Sequence, residues 1–514
     1  MWNTQMKGWK SSSLSLPPLN PFIPTDFTLV REPLGMKDRQ KMNKDETGLW
    51  SPNAPTLVLN NSDITVWHTS EGIKEFPVPR VQAFAVMRTD VGQKNPKNQA
   101  LTELYFDMVG DHLMEKLYLP AVAGYSFSMG SSESGFTAGL QGYSQNAYEF
   151  LEEALQSVRQ PPLNPNRFAS IKEETLRAYE NFYQSQPYEQ ASYAIGRLTN
   201  PSGFSIQELQ KAVSEASLDD VALFIPTLLG SKWSLETLVN GNLDDKKALE
   251  LTSLFRKVLQ GEGDSKNSVG TSPNQQRFQL DVGEGKSWVV RQTLNNPGEL
   301  NSATMVKYQL GDRRELTTKE IAIATLIGSI ISEPAFDELR TKQQLGYIVS
   351  AGVGVSLNVF TLGCLVQGAQ HTAEYYDSQI EAFLRDFEKL VTDMPDKELQ
   401  QFKTSLESAL LRKDLSLMDR GVRFWDPIGK QIYKFDWNID RVKALRSVSR
   451  QDILDFYRKK IIDPNTRRRV SVRMESQDEK SRNVQLVNPP VIATEVLDSV
   501  EDFRAKIVPA QKIV

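Results

Sequence analysis

Two stretches of the chain carry the same succession of apolar and polar positions. Phe136-Thr-Ala-Gly-Leu-Gln-Gly142 has the alternation of a strand; after a polar turn, Ala147, Phe150, Leu151, Ala154, Leu155 and Val158 recur with helical spacing on one face. Phe360-Thr-Leu-Gly-Cys-Leu-Val-Gln-Gly368 leads likewise into Tyr376, Ile380, Phe383, Leu384 and Phe387. Further on, Lys211-Ala212-Val213 with Ser217, Asp220, Val221 and Phe224 is repeated 232 residues later by Lys443-Ala444-Leu445 with Ser449, Asp452, Ile453 and Phe456. In each copy the serine suits a helix N-cap, and the aspartate three residues on suits the positive end of the helix dipole. Strand candidates follow, Trp233 to Val239 and Arg469 to Val472. The order of elements predicts an internal duplication: two α+β domains, each a largely antiparallel sheet with helices on one face.

Polar, periodicity-free stretches divide the chain. Residues 1–60, with Ser11-Ser12-Ser13, Pro17-Pro18 and Asn60-Asn61, read as an extended arm or linker, and Gly261 to Gln276 as a second linker. The expected domains are therefore 61–260 and 277–514. The longest apolar run, Ile321 to Ser332, is too short for a membrane span of about 20 residues and ends at Glu333-Pro334, so it reads as a buried helix.

Composition narrows the function classes. With 39% hydrophobic and 24% charged residues and a mean hydropathy of -0.41, the 514-residue chain has the makeup of a soluble globular protein. A net charge of -4 gives no basic excess for nucleic acid or an anionic membrane, and Arg467-Arg468-Arg469 reads as a solvated strand end. The single cysteine, Cys364, excludes an intrachain disulfide and a cysteine zinc site; with no secretory pattern at the N-terminus, the expected location is cytoplasmic.

Chemistry is sparse. The three histidines, His68, His112 and His371, cannot form H-x-x-E-H or H-E-x-x-H. His112-Leu-Met-Glu115-Lys116 has the first histidine and the glutamate of the inverted zinc motif, but Lys116 would repel the cation, so no metal site is expected. No G-x-S-x-G elbow occurs, and Cys364 lies in an apolar strand. Taken from the bare sequence, Arg340 reads as a surface ion-pair residue and Tyr347 as a half-buried residue opening a strand. Gly346 suits a helix C-terminal turn that would aim Tyr347 from a fixed corner.

Ile330-Ile-Ser-Glu-Pro-Ala-Phe336-Asp-Glu-Leu-Arg340-Thr-Lys-Gln-Gln-Leu-Gly346-Tyr347-Ile-Val closely resembles a segment in the last domain of insulin-degrading enzymes and their bacterial relatives, the M16 (insulysin/pitrilysin) zinc metallopeptidases. Asn20-Pro-Phe-Ile-Pro-Thr-Asp-Phe27, Asp452-Ile-Leu-Asp-Phe-Tyr457, Arg467-Arg-Arg-Val-Ser-Val472 and Asp502-Phe-Arg504 agree with it. The resemblance implies the C-terminal half of such an enzyme, with two homologous M16-type (LuxS/metallopeptidase-like) domains. It implies that zinc is held by H-x-x-E-H on an N-terminal half outside this chain, with no cofactor here. It further implies that Arg340 and Tyr347 contact the substrate carbonyl during peptide hydrolysis, that Phe336 lines the peptide chamber, and that the partners are peptide substrates and a catalytic half or M16 partner subunit. Two alternatives stand beside this: a catalytically dead M16 homologue acting as a binding or scaffold subunit, in the cytoplasm or in mitochondria, and a self-sufficient enzyme working through His112 and Glu115.

Overall fold

Helices begin where the repeated serines cap them. In the computed structural model, which describes residues 19–35, 49–200, 202–261, 279–478 and 495–511, Ser217 Oγ accepts the Asp220 N–H (3.1 Å) and Asp220 accepts the Ser217 N–H (3.0 Å). Ser449 and Asp452 make the same box at 3.2 and 2.8 Å. Each aspartate also meets a lysine from the first turn of another helix, Lys97 at 2.7 Å and Lys319 at 2.8 Å. Lys172 Nζ donates to the carbonyls of Ser214 and Ala216, as Lys403 Nζ does to those of Arg446 and Val448. The duplication thus extends to individual side-chain contacts.

The first half comprises β1 (Thr56–Asn60), β2 (Ile64–Thr69), β3 (Arg80–Arg88), α1 (Pro96–Lys116), β4 (Ser126–Ser132), β5 (Gly135–Tyr143), α2 (Ala147–Arg159), α3 (Pro165–Phe182), α4 (Pro187–Thr199), α5 (Ile206–Glu215), α6 (Leu218–Leu229), β6 (Ser234–Gly241) and α7 (Asp245–Leu259). The second repeats it: β7 (Lys286–Thr293), β8 (Ser302–Asp312), α8 (Thr318–Ala335), β9 (Ile348–Ser356), β10 (Val359–Gly368), α9 (Ala373–Asp393), α10 (Asp396–Leu410), α11 (Leu417–Gly429), α12 (Trp437–Arg446), α13 (Arg450–Tyr457), β11 (Arg468–Glu475), β12 (Glu495–Leu497) and α14 (Val500–Gln511). The sheets run β1-β2-β6-β3-β5-β4 and β12-β7-β11-β8-β10-β9, the same in their inner five strands; the edge differs, being an N-terminal antiparallel strand (β1) in the first and a C-terminal parallel one (β12) in the second. Pairing is antiparallel except at β2–β6, β7–β11 and β7–β12. β1 falls within the stretch read as an arm, and the linker read at 261–276 lies, apart from Gly261, outside the described residues.

Most helices pack on one face of each sheet, around a core of Leu104, Phe150, Leu155 and Phe255 in the first half and Ile327, Ile330, Phe383 and Phe387 in the second. The other face is covered from the opposite half. Ala191, Ala194, Ile195 and Leu198 of α4 pack on Trp288, Val290, Val470 and Val472 of the second sheet. Phe424 and Ile428 of α11 pack on Leu238 of the first, and Trp425 stacks on Phe84 with ring centres 5.5 Å apart. The two halves exchange equivalent helices.

The Arg467 to Arg469 run departs from its sequence reading. Arg469 is fully buried, with Nε 2.6 Å from Glu381, a second contact to Asp377, and Arg467 Nη1 3.3 Å from Glu381. Arg473 and Ser471 complete the coordination of Asp377, each at 2.9 Å. Buried charge is tolerated only when so paired, and the acidic partners come from α9, nearly a hundred residues away.

Candidate functional site

Thr317 and Glu320 form a capping box that starts α8. The helix runs past the point where Pro334 was expected to end it. Pro334 has no N–H for the Ile330 carbonyl, and from Phe336 to Lys342 the chain widens into a π-helical turn, in which Gln343 N–H bonds to Glu338 O (3.0 Å). Leu339 and Leu345 anchor this turn in the core, and the Leu345 N–H bonds to Leu339 O at 3.0 Å. The turn presents its remaining side chains outward at fixed positions.

Phe336 is 42% exposed, and the Arg340 guanidinium lies 4.7 Å from its ring centre. The carboxylates that could have neutralised Arg340 are held elsewhere: Lys342 Nζ takes Asp337 at 2.9 Å and Glu338 at 3.3 Å, and Gln343 donates to Glu338 at 3.1 Å. Arg340 therefore has no ion pair among the described residues, unlike the ion-paired surface residue the bare sequence suggested. Tyr347, at the far end of the connection, is 88% exposed rather than half-buried. The structure thus joins Phe336 and Arg340 directly; Tyr347 shares their connection but has no hydrogen bond or ring contact to either among the described residues.

Gly346 acts differently from the sequence reading. The left-handed residue of the turn is Gln344, with φ of 55°. Gly346 is required by space: a Cβ there would sit 1.9 Å from Gln367 O and 2.9 Å from Gly368 Cα. Gly368 is equally confined, so two glycines let the chain before β9 press against the end of β10. The sequence alone left unnoticed the diversion of Asp337 and Glu338 to Lys342 and the place of Gln367 against Gly346 and Ile348; only the Gly346 and Gly368 pair could have hinted at the latter.

His68, His371, the single cysteine and the truncated zinc motif are held in structural contacts. Lys116 of α1 is 3.4 Å from Glu153, so the truncated His112–Glu115 motif ends in an ion pair. Among the described residues no group of three or more His, Cys, Asp or Glu side chains is placed to hold a metal ion. His68 is buried between Asp245 (2.5 Å) and the Leu243 carbonyl (3.1 Å). His371 stacks on Tyr375, and burial lowers its pKa. Cys364 is buried, which pushes its thiol up to about 12 and removes it as a nucleophile. No described helix is long and apolar enough to cross a membrane.

Comparison with known proteins agrees with this architecture. Residues 1–212 match the family model for the middle or third domain of peptidase M16, and residues 326–425 match that for the C-terminal lobe domain 4 of PqqF-like PQQ synthases. Human insulin-degrading enzyme is 27% identical over 473 residues, covering 91% of this chain and 44% of the relative. An Arabidopsis thaliana nardilysin-like protein is 26% identical over 489 residues, covering 93% and 46%. The crystal structure of pitrilysin superposes with a TM-score of 0.80 at 20% identity, over 96% of this chain and 49% of that one. The inactive domain of a Pseudomonas fluorescens M16 peptidase gives 0.59 at 12% identity, over 87% of this chain and all of that one. Over most of its length the chain is similar to proteins of the peptidase M16 family. It spans about half the length of the curated relatives it matches, and the matched domain models fall in the order third, then fourth.

Proposed function

We propose that this chain is the substrate-holding half of an M16 metallopeptidase, in which Phe336, Arg340 and Tyr347 contact the peptide and the H-x-x-E-H zinc site lies on residues outside this chain. The observation that carries the reading is the state of Arg340. Its guanidinium lies over Phe336, partly buried, while Lys342 holds the neighbouring carboxylates, so its N–H groups remain available to an incoming acceptor. A guanidinium and an exposed phenol are suitable donors to a carbonyl oxygen that gains negative charge, and removing one such donor costs on the order of 3 kcal/mol of barrier lowering. Neither side chain can activate water. That chemistry, with polarisation of the carbonyl, is what zinc would supply from the other half.

The test uses a fluorescein-labelled unstructured peptide and the purified chain. Saturable binding without cleavage, weakened by Arg340→Ala and by Tyr347→Phe, supports the reading. Chelator-sensitive cleavage by the chain alone contradicts it and revives His112 and Glu115. Absence of peptide binding, with retained association to an M16 partner subunit, assigns the chain to the scaffold class.

A further inference from the structure

The site turn is tied to the other half of the molecule by one side chain. Gln367 is the penultimate residue of β10 and only 4% exposed. Its Oε1 accepts the N–H of Tyr188 at 2.8 Å, and its Nε2 donates to Gln186 Oε1 at 2.8 Å. Gln186 is the N-cap of α4, the helix that leaves the first half to cover the second sheet, with Pro187 buried at its first turn. In the ladder Gln367 faces Ile348, the residue directly after Tyr347, and its carbonyl is the atom against which Gly346 is pressed. One residue thus holds the start of α4 through its side chain and the chain on either side of Tyr347 through its backbone.

We infer that Gln367 is a positioning residue for Tyr347, setting the start of β9 according to where α4 docks. The physical case rests on what a buried amide demands. Both its polar ends are satisfied only by α4, so a shift of that helix leaves a buried donor and acceptor unpaired, and the sheet end must follow or bear that cost. The glycine contact then passes any movement of β10 to Gly346, because no side chain lies between the two backbones to absorb it. The orientation of one half relative to the other is thereby read out at Tyr347. This inference takes its significance from the proposed peptide-holding role, but its physical content is separable.

Hydrogen exchange of the full chain, read on fragments spanning 345–350, tests it. Gln367→Leu keeps the volume and removes both hydrogen bonds; exchange over 345–350 is expected to rise about tenfold, as for a local opening that loses two part-buried hydrogen bonds. Gln367→Glu is expected to retain near-native protection when its buried carboxyl is protonated, because the neutral acid still accepts from the Tyr188 N–H and donates its O–H to Gln186 Oε1. Gln186→Ala, at an exposed position that does not threaten folding, should show an intermediate rise. A pure packing role predicts the reverse order, with the leucine variant protected. Unchanged exchange in both Gln367→Leu and Gln186→Ala overturns the inference. Peptide binding is measured separately on the same samples: its absence from the wild type sinks the functional reading and leaves the exchange result standing.

Discussion

Arg340 and Phe336, one helical turn apart, form a cation–π pair at 4.7 Å on a π-helical turn that keeps both partly exposed. Such pairs contribute about 0.5–1 kcal/mol at exposed sites. In a double-mutant cycle on peptide affinity, Phe336→Leu and Arg340→Met should therefore show coupling of about that size, while denaturation midpoints stay within about 0.5 kcal/mol of wild type. Additive effects would mean that the ring does not hold the guanidinium.

Gly346 and Gly354 separate space from sequence. A methyl at Gly346 collides with Gln367 O at 1.9 Å, whereas one at Gly354 meets nothing within 4 Å. Gly346→Ala should destabilise by about 2–3 kcal/mol or more and disturb Tyr347. Gly354→Ala should leave stability within about 0.5 kcal/mol. Chemical denaturation of the two variants decides it; equal midpoints would contradict the close approach.

The buried network gives a pH signature. Burial alone would raise the pKa of Asp377, but Arg469 and Arg473 outweigh it and hold the carboxyl below its usual range. A carboxyl with a depressed folded pKa contributes stability that is complete above the unfolded value of about 3.9 and is lost as pH falls further. Asp452, held down to about 2 by Lys319 and its Ser449 cap, adds in the same direction. Urea midpoints should fall below about pH 4, and Arg469→Met should cost roughly 3–5 kcal/mol at pH 7 while showing a weaker acid dependence. An unchanged acid dependence in that variant would place the titration elsewhere.

The exchange of α4 and α11 makes the halves interdependent. Fragments 1–261 and 279–514 each lack the helix that covers the second face of their sheet, and expose surfaces such as Trp288, Val290 and Val472 or Leu238 and Phe84. Produced separately they should aggregate or bind a hydrophobic dye; produced together they should assemble. Phe424→Ala, in the helix covering the first sheet, should cost about 3–5 kcal/mol in the intact chain. Two independently stable, monomeric fragments would contradict the interlock.

The duplication was legible because it rests on local signals: capping serines with their aspartates, helical spacing in α2 and α9, and strands such as β5 and β10. The connection carrying Phe336, Arg340 and Tyr347 was legible only through family resemblance, since neither the π turn after Pro334 nor the diversion of Asp337 and Glu338 to Lys342 follows from periodicity. What stayed hidden depends on distant partners. Arg469 looked solvated because Asp377 and Glu381 are far along the chain, and Gln367 looked like an ordinary strand residue because its partners belong to the other half.

The most direct measurement is peptide binding and cleavage by the isolated chain, compared across wild type, Arg340→Ala and Tyr347→Phe, with zinc added and with chelator. The account predicts saturable binding with no cleavage under either condition, a loss of affinity of about tenfold or less for each variant, and unchanged folding stability. Zinc-dependent cleavage by the chain alone, or binding indifferent to both substitutions, would contradict it.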